Sequence, residues 1–271
     1  MNNVIDIKQL QNKTLEILVR FDEVCKKYSI KYYLAYGTAL GAVRHQGFIP
    51  WDDDIDVMMF REEYEKFKKV SDELGEKFFL QSRESDKEYP LDLPKIRMNG
   101  TAFVEKPLKK YNINHGIYID VFILEYALEN KVLDKATQFI YMLNRFNNTG
   151  NSFSSLKGKV LFMCLKPLLN GEKLKNAWNK VIYSNMKKNY SKCNDIFSYG
   201  YSFDTKDIGA GKYIKFENRK FLVPENVDNY LTQCYGDYMI LPKLEDRIPH
   251  HEVDFFSLDK EYVYKKQNGE I

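Results

Sequence analysis

Gly37-Thr38-Ala39-Leu40-Gly41-Ala42-Val43-Arg44-His45-Gln46-Gly47-Phe48-Ile49-Pro50-Trp51-Asp52-Asp53-Asp54-Ile55-Asp56-Val57 is the stretch on which the reading of this chain turns. Four aspartates fall within the five positions 52 to 56. Most acidic runs are solvated loops. Here Trp51 precedes the run and Ile55 and Val57 interleave with it, an apolar alternation that a solvated loop does not need. Read as a strand from Asp54 to Phe60, the segment turns Asp54 and Asp56 to one face, about 6–7 Å apart. Two carboxylates so placed repel each other unless a divalent cation lies between them. Ligands that are all oxygen favour Mg2+ or Mn2+ over zinc. Asp53 points to the opposite face and is expected to matter less.

Upstream, Tyr32–Tyr36 is a short aromatic and apolar run closed by Gly37, a buried strand. Thr38–Arg44 makes one or two helical turns, and Gly47 and Pro50 make His45–Trp51 a loop. Apolar residues at three- to four-residue spacing from Ile7 to Tyr28 predict an amphipathic helix over 6–28. Downstream, Arg61–Leu74 reads as a helix, and Phe78–Gln81, Lys95–Met98, Ala102–Glu105 and Ile117–Leu124 as strands. Asn99-Gly100 suits a tight hairpin between the middle two. Helix is expected from about Leu128 to Tyr190, followed by a mixed, loop-rich end. The pattern predicts an α+β fold, a mixed sheet core with a helical insertion or cap. Residues 1–127 are expected to form the core that carries the aspartates, 128–192 a basic helical insertion, and 193–271 a C-terminal segment that completes the site.

Within the apolar strand His115–Phe122, Asp120 stands as a lone acid whose burial is costly without a partner. A metal shared with Asp54 and Asp56 removes that cost. Pairing with Arg97 is the bland alternative. Gly37 and Thr38 lie at a strand-to-helix turn, whose backbone N–H groups suit a phosphate. Arg44 and His45 are placed to meet a phosphate or to pair with the aspartates.

The 271 residues carry 41 Lys+Arg and 38 Asp+Glu, a net charge of +3, too balanced for a dedicated nucleic-acid binder. No apolar run reaches the roughly 18–20 residues that span a bilayer. The first ten residues do not read as an export signal. The four cysteines, Cys25, Cys164, Cys193 and Cys234, form no CxxC pair and are expected as free thiols in the cytoplasm. Residues 145–192 hold ten basic side chains and a single acid, around the apolar run Val160–Leu165. This segment suits docking on an anionic membrane surface, peripheral on the inner face; a buried core helix with solvated lysines is the alternative.

A strand, a glycine turn, a short helix, Asp-x-Asp on the next strand and a third acid on a later one resemble the nucleotidyltransferase superfamily. The longer string Gly-Thr-x-Leu-Gly-x-x-Arg-His-x-Gly-Phe-Ile-Pro-Trp-Asp-Asp-Asp-Ile-Asp is similar to the LicD family, relatives of the fukutin-type transferases. Gly116–Phe122, Tyr235–Met239, Leu241-Pro242, Arg247 and His250-His251 extend the likeness over most of the chain. Ile123-Leu124-Glu125 departs from it where the family often has Pro-x-Asp, a change expected on the acceptor side.

The resemblance implies a transferase that takes an alcohol phosphate, typically phosphocholine, from a CDP-linked donor such as CDP-choline. The acceptor is a sugar hydroxyl of a lipid-linked or surface glycan, or a teichoic-acid precursor, and CMP is released. Asp54, Asp56 and Asp120 then hold Mg2+ (or Mn2+), and Asp52 is a further ligand or the base. Arg247 and His250 contact phosphate or acceptor. Choline calls for an aromatic box, for which Tyr235 and Tyr238 are the candidates. The same carboxylates also suit nucleotidyl transfer with release of pyrophosphate, or a metal-dependent glycosyltransferase releasing NDP. A glycan- or lipid-binding scaffold with a dead site has no reason to concentrate acids in this way.

Overall fold

The computed structural model describes residues 5–149, 163, 187–198 and 200–264. The first helix, α1 (Ile7–Lys27), is capped by Asp6, which accepts the Gln9 N–H at 3.1 Å. It buries Leu10, Ile17, Leu18, Phe21, Val24 and Cys25. β1 covers only Tyr33–Leu34, because Tyr36 already begins α2 (Tyr36–Arg44). β2 spans Asp56–Phe60 and not the expected Asp54–Phe60. The Asp52 N–H still bonds back to Ile49 O at 3.0 Å, so the chain is turning as it enters the acidic run. α3 (Arg61–Lys69) is shorter than expected; one 3-10 turn, Ser71–Leu74, replaces its last part and stops at Gly75, φ 85°.

The main sheet places β3 (Phe78–Gln81), β4 (Lys95–Met98), β6 (Ile117–Leu128), β2 and β1 side by side. β7 (Lys188–Asp195) also pairs with β6, and β8 (Ser202–Asp204) pairs with β7, making seven strands. β2 and β6 run parallel, and the other pairs of this sheet are antiparallel. α1 and α3 pack against β6. The fold is α+β.

Three expectations need correction. Asn99-Gly100 turns the chain, with Gly100 at φ 75°, but makes no hairpin. Both edges of β4 are taken by β3 and β6, so β5 (Ala102–Glu105) leaves the sheet and pairs with β11 (Val253–Ser257). β6 runs four residues past Leu124, because β7 gives that extension a partner. Helix was expected through Tyr190; α4 covers Lys131–Thr149, and Lys188–Tyr190 already belong to β7.

The expected membrane-facing stretch 145–192 lies outside the described residues except for 145–149, 163 and 187–192. Cys164 also lies outside them. Cys25, Cys193 and Cys234 are free thiols. Among the described residues no helix is long and apolar enough to cross a membrane. The C-terminal part adds a one-turn helix α5 (Thr205–Ile208), the hairpin β9 (Lys212–Phe216) and β10 (Arg219–Val223), and α6 (Val227–Tyr235). The chain then crosses back over the acidic run before entering β11.

Candidate active site

The parallel register of β2 and β6 sets Asp56 directly opposite Asp120. Asp54 lies just before β2 on the same side. Ligand oxygens of Asp54, Asp56 and Asp120 all come within 4.8 Å of one another. The surrounding elements hold this geometry. Thr38 Oγ1, buried in α2, accepts the Asp56 N–H at 2.8 Å and fixes where β2 begins. From α1, Gln11 Nε2 donates to Asp52 O at 3.0 Å and to Ile49 O at 3.2 Å, pinning the loop. A Cβ on Gly37 would lie 3.0 Å from Asp52 Oδ2, so glycine lets α2 close onto the acidic run. The Thr38 hydroxyl is thus engaged by the strand, apart from the backbone N–H groups of Gly37 and Thr38 that were expected to serve a phosphate.

Crowding like charges into a buried place disfavours ionisation. Burial, then Asp54 and Asp120, holds the Asp56 carboxyl well above its ordinary range. Burial and Asp52 push Asp54 up to about 8. Burial and Asp53 push Asp52 up to about 6. Asp120 Oδ1 is fully buried with no donor aligned for a hydrogen bond, although Lys95 Nζ makes an ion-pair contact with it at 2.8 Å. An all-oxygen set with mutual repulsion fits a hard divalent cation.

Asp53 does not have the minor place expected of it. It is 3% exposed and anchors the returning C-terminal chain. It accepts the backbone N–H groups of His250 at 3.4 Å and His251 at 3.1 Å, and the His251 ring Nδ1 at 3.0 Å. Those hydrogen bonds outweigh burial and lower the Asp53 pKa. His251 Nδ1 also stands 3.9 Å from Asp54 Oδ2. Burial opposes a charged His251 ring, but the Asp53 hydrogen bond and the Asp54 carboxylate win and raise its pKa to about 9. The ring that enters the site is therefore His251; the neighbouring His250 is exposed and contributes its backbone.

Arg44, His45 and Arg247 form a separate cluster. Arg44 donates to His45 Nε2 at 3.0 Å and to Tyr238 O at 2.7 Å. Arg247 donates to Pro242 O at 3.0 Å and lies 5.4 Å from the Trp51 ring centroid. The His45 ring stands edge-on to Trp51. Burial and then Arg44 lower the His45 pKa, which suits its role as acceptor of the Arg44 hydrogen bond. The hydrogen bonds of the two arginines go to His45 and to the C-terminal loop, not to the aspartates.

Above the carboxylates lies a hollow of about 340 Å³ lined by Asp54, Asp56 and Asp120 and by Tyr36, Phe122, Phe197 and Tyr201. Tyr235 and Tyr238, expected as an aromatic box, are not among the residues that line this hollow. Tyr238 is held outside it by its hydroxyl on Asp228, 2.5 Å away. Tyr36 sits at φ 40°, a strained angle for a side chain of its size, and its ring packs against Phe122 and Tyr201. Its hydroxyl donates to Asp195.

Sequence reasoning missed Lys95, which lines the same hollow. Lys95 and Arg97 alternate with Ile96 and Met98 on β4, and two cations on one face of a strand were the available signal. Arg97, considered as the partner of Asp120, instead donates to Gln81 Oε1 and Gly116 O, each at 2.7 Å. Glu125, in the stretch that departs from the family pattern, is buried and accepts from Arg61 Nε at 2.7 Å.

Residues 29–149 match the family model described as "LicD/FKTN/FKRP, nucleotidyltransferase domain". The chain is 30% identical over 267 residues to lipopolysaccharide cholinephosphotransferase LicD of Haemophilus influenzae, covering 91% of this chain and 96% of that protein. Shorter likenesses, 41% over 66 residues and 44% over 59, link it to uncharacterized proteins of Rickettsia typhi and Rickettsia prowazekii. They cover 24% and 22% of this chain and 19% and 20% of those proteins. With a relative matched over nearly its full length and a family model that matches the part of the chain carrying Asp54, Asp56 and Asp120, this protein belongs to the LicD family.

Proposed function

We propose that the protein transfers phosphocholine from CDP-choline to a sugar hydroxyl of a cell-surface glycan or teichoic-acid precursor and releases CMP. The observation that carries this reading is a hollow with a carboxylate floor and aromatic walls. The near full-length likeness to a cholinephosphotransferase supports it. Mg2+ or Mn2+ held by Asp54, Asp56 and Asp120 would neutralise charge at the pyrophosphate. The rings of Tyr36, Phe122, Phe197 and Tyr201 offer π-faces to a quaternary ammonium, which a hydrogen-bonding pocket does not favour. Asp52, titrating near neutrality, takes the proton of the attacking hydroxyl as that oxygen bonds to phosphorus and the phosphorus–oxygen bond to CMP breaks. Arg44 and Arg247 draw the anionic donor towards the mouth.

Incubation with a panel of CDP-alcohols, Mg2+ and lipid-linked glycan, followed by mass spectrometry, tests this. CMP with a glycan heavier by one phosphocholine is the expected product pair. Pyrophosphate release would show nucleotidyl transfer in its place.

The basic, apolar stretch 145–192 supports a cytoplasmic site of action, peripheral on the inner face of the membrane. Co-flotation with anionic liposomes is expected. A double Leu161→Ser, Phe162→Ser variant that floats as fully as the parent would remove membrane docking through this stretch.

A further inference from the structure

Across three strands the register aligns Asp56 on β2, Asp120 on β6 and Lys95 on β4 in one row, two acids and a base. Lys95 is 2% exposed, yet it borders the hollow. Its Nζ lies 2.8 Å from Asp120 Oδ1 and 3.8 Å from Glu105 Oε2. It also sits 3.4 Å from the centroid of the Tyr118 ring. Held against a carboxylate, a second acid and an aromatic face, the ammonium is fixed and cannot swing into solvent.

We infer that Lys95 stands where a second metal ion would otherwise sit, and that it limits the carboxylate site to a single divalent cation. The inference rests on the metal reading proposed above. With an ion bound and its protons displaced, the three carboxylates of the triad carry three negative charges, and the Lys95 ammonium cancels one. The two that remain are matched by one dication. Two neighbouring pairs compensate within themselves: Arg97 stands 3.9 Å from Glu105, and His251 is hydrogen-bonded to Asp53 at 3.0 Å. Asp52 is the remaining acid beside the triad, and it is kept for the proton rather than for an ion. A second dication on the Asp120 side would face a fixed positive charge at contact distance, in a place where burial strengthens the repulsion.

The other flank is already engaged. Asp53, Asp54 and His251 also bring ligand atoms within 4.8 Å of one another. However, the Asp53 oxygens already accept two backbone N–H groups and the His251 ring. That cluster is a clasp on the C-terminal chain, and an ion there would have to displace hydrogen bonds that Asp53 already makes. Lys95 is thus a positioning residue: it keeps Asp120 turned towards the triad and sets the number of ions the triad accepts.

Titration of the full-length chain with Mn2+ in the absence of nucleotide, with free Mn2+ read by electron paramagnetic resonance, counts the ions without reference to activity. One ion per chain is expected for the parent and for Lys95→Arg, which keeps the charge. Two are expected for Lys95→Gln, whose amide can still donate to Asp120, and for Lys95→Met, with circular dichroism verifying the fold of each. Two ions on the parent, or one ion bound with unchanged affinity by a folded Lys95→Gln or Lys95→Met protein, would overturn the inference. No bound Mn2+ at all would remove the metal reading itself, and this inference with it.

Discussion

Asp56 illustrates how a single side chain can be costly to the fold and necessary to the site. It is buried beside Asp54 and Asp120, and all three factors oppose its ionisation. Asp56→Asn removes that repulsion while keeping the shape. The metal-free variant is expected to melt about 2–4 °C higher, the shift of roughly 1 kcal/mol in a chain of this size. Transfer activity is expected to fall at least about 100-fold, since a ligand of the reacting site is lost. Calorimetry and CMP release measured on one preparation check both. Asp53→Ala is expected to act in the opposite way. It leaves the His251 ring and two backbone N–H groups without their acceptor, at about 2–3 kcal/mol of stability. Urea denaturation reads that loss. An unchanged midpoint would show that the C-terminal chain is held by other contacts.

At the scale of the element, α2 and the start of β2 are joined by one hydrogen bond and one close approach. Thr38→Val keeps the volume and removes the hydroxyl that accepts the Asp56 N–H. A buried donor left unpaired costs about 1–3 kcal/mol. Because that N–H belongs to a residue of the carboxylate triad, a lower apparent affinity for Mn2+ is expected together with the lower stability. Gly41 lies where a Cβ would be 2.5 Å from Gly47 O, so the helix can touch the following loop only with glycine there. Gly41→Ala is expected to destabilise by about 1–3 kcal/mol through overpacking. A neutral outcome in thermal denaturation would show that the loop yields freely.

For the whole molecule, the raised pKa values have a common sign. Asp52 and Asp54 bind protons in the fold up to about 6 and about 8, and His251 up to about 9. In the unfolded chain the same groups titrate near 3.9 and 6.5. Between these limits the native state carries more protons, so stability falls as pH rises. For the aspartates the contribution is whole below about pH 4 and is lost through about 6 and 8; for His251 it is whole below about 6.5 and lost through about 9. Asp53, with its lowered value, works the other way and loses its contribution only in acid. The chelator-treated protein is therefore expected to show its highest melting temperature near pH 5 and a steady decline to pH 9. Mn2+ is expected to raise the melting temperature more at pH 8 than at pH 6, because protons leave the sites that the ion takes. Thermal scans across pH, with and without Mn2+, read this directly.

Local pattern was enough for α1, whose apolar spacing and Asp6 cap lie within one segment, and for the strand character of β2, β3, β4, β5 and β6. It also marked Asp54, Asp56 and Asp120 as one group, since paired acids in apolar strands are expensive wherever the strands lie. What the pattern could not set was partnership. Asn99-Gly100 looks like a hairpin turn until β3 and β6 occupy both edges of β4 and send β5 to β11. Lys188–Tyr190 reads as helix until β6 offers them an edge. Lys95 and His251 meet the aspartates across separations of 25 and more residues, and the aromatic walls come from three distant segments. Backbone hydrogen bonding and hydrophobic periodicity are properties of neighbours in the chain, and one sequence carries them openly. Which charge compensates which, and which strand edge is free, are properties of neighbours in space, and only the folded chain decides them.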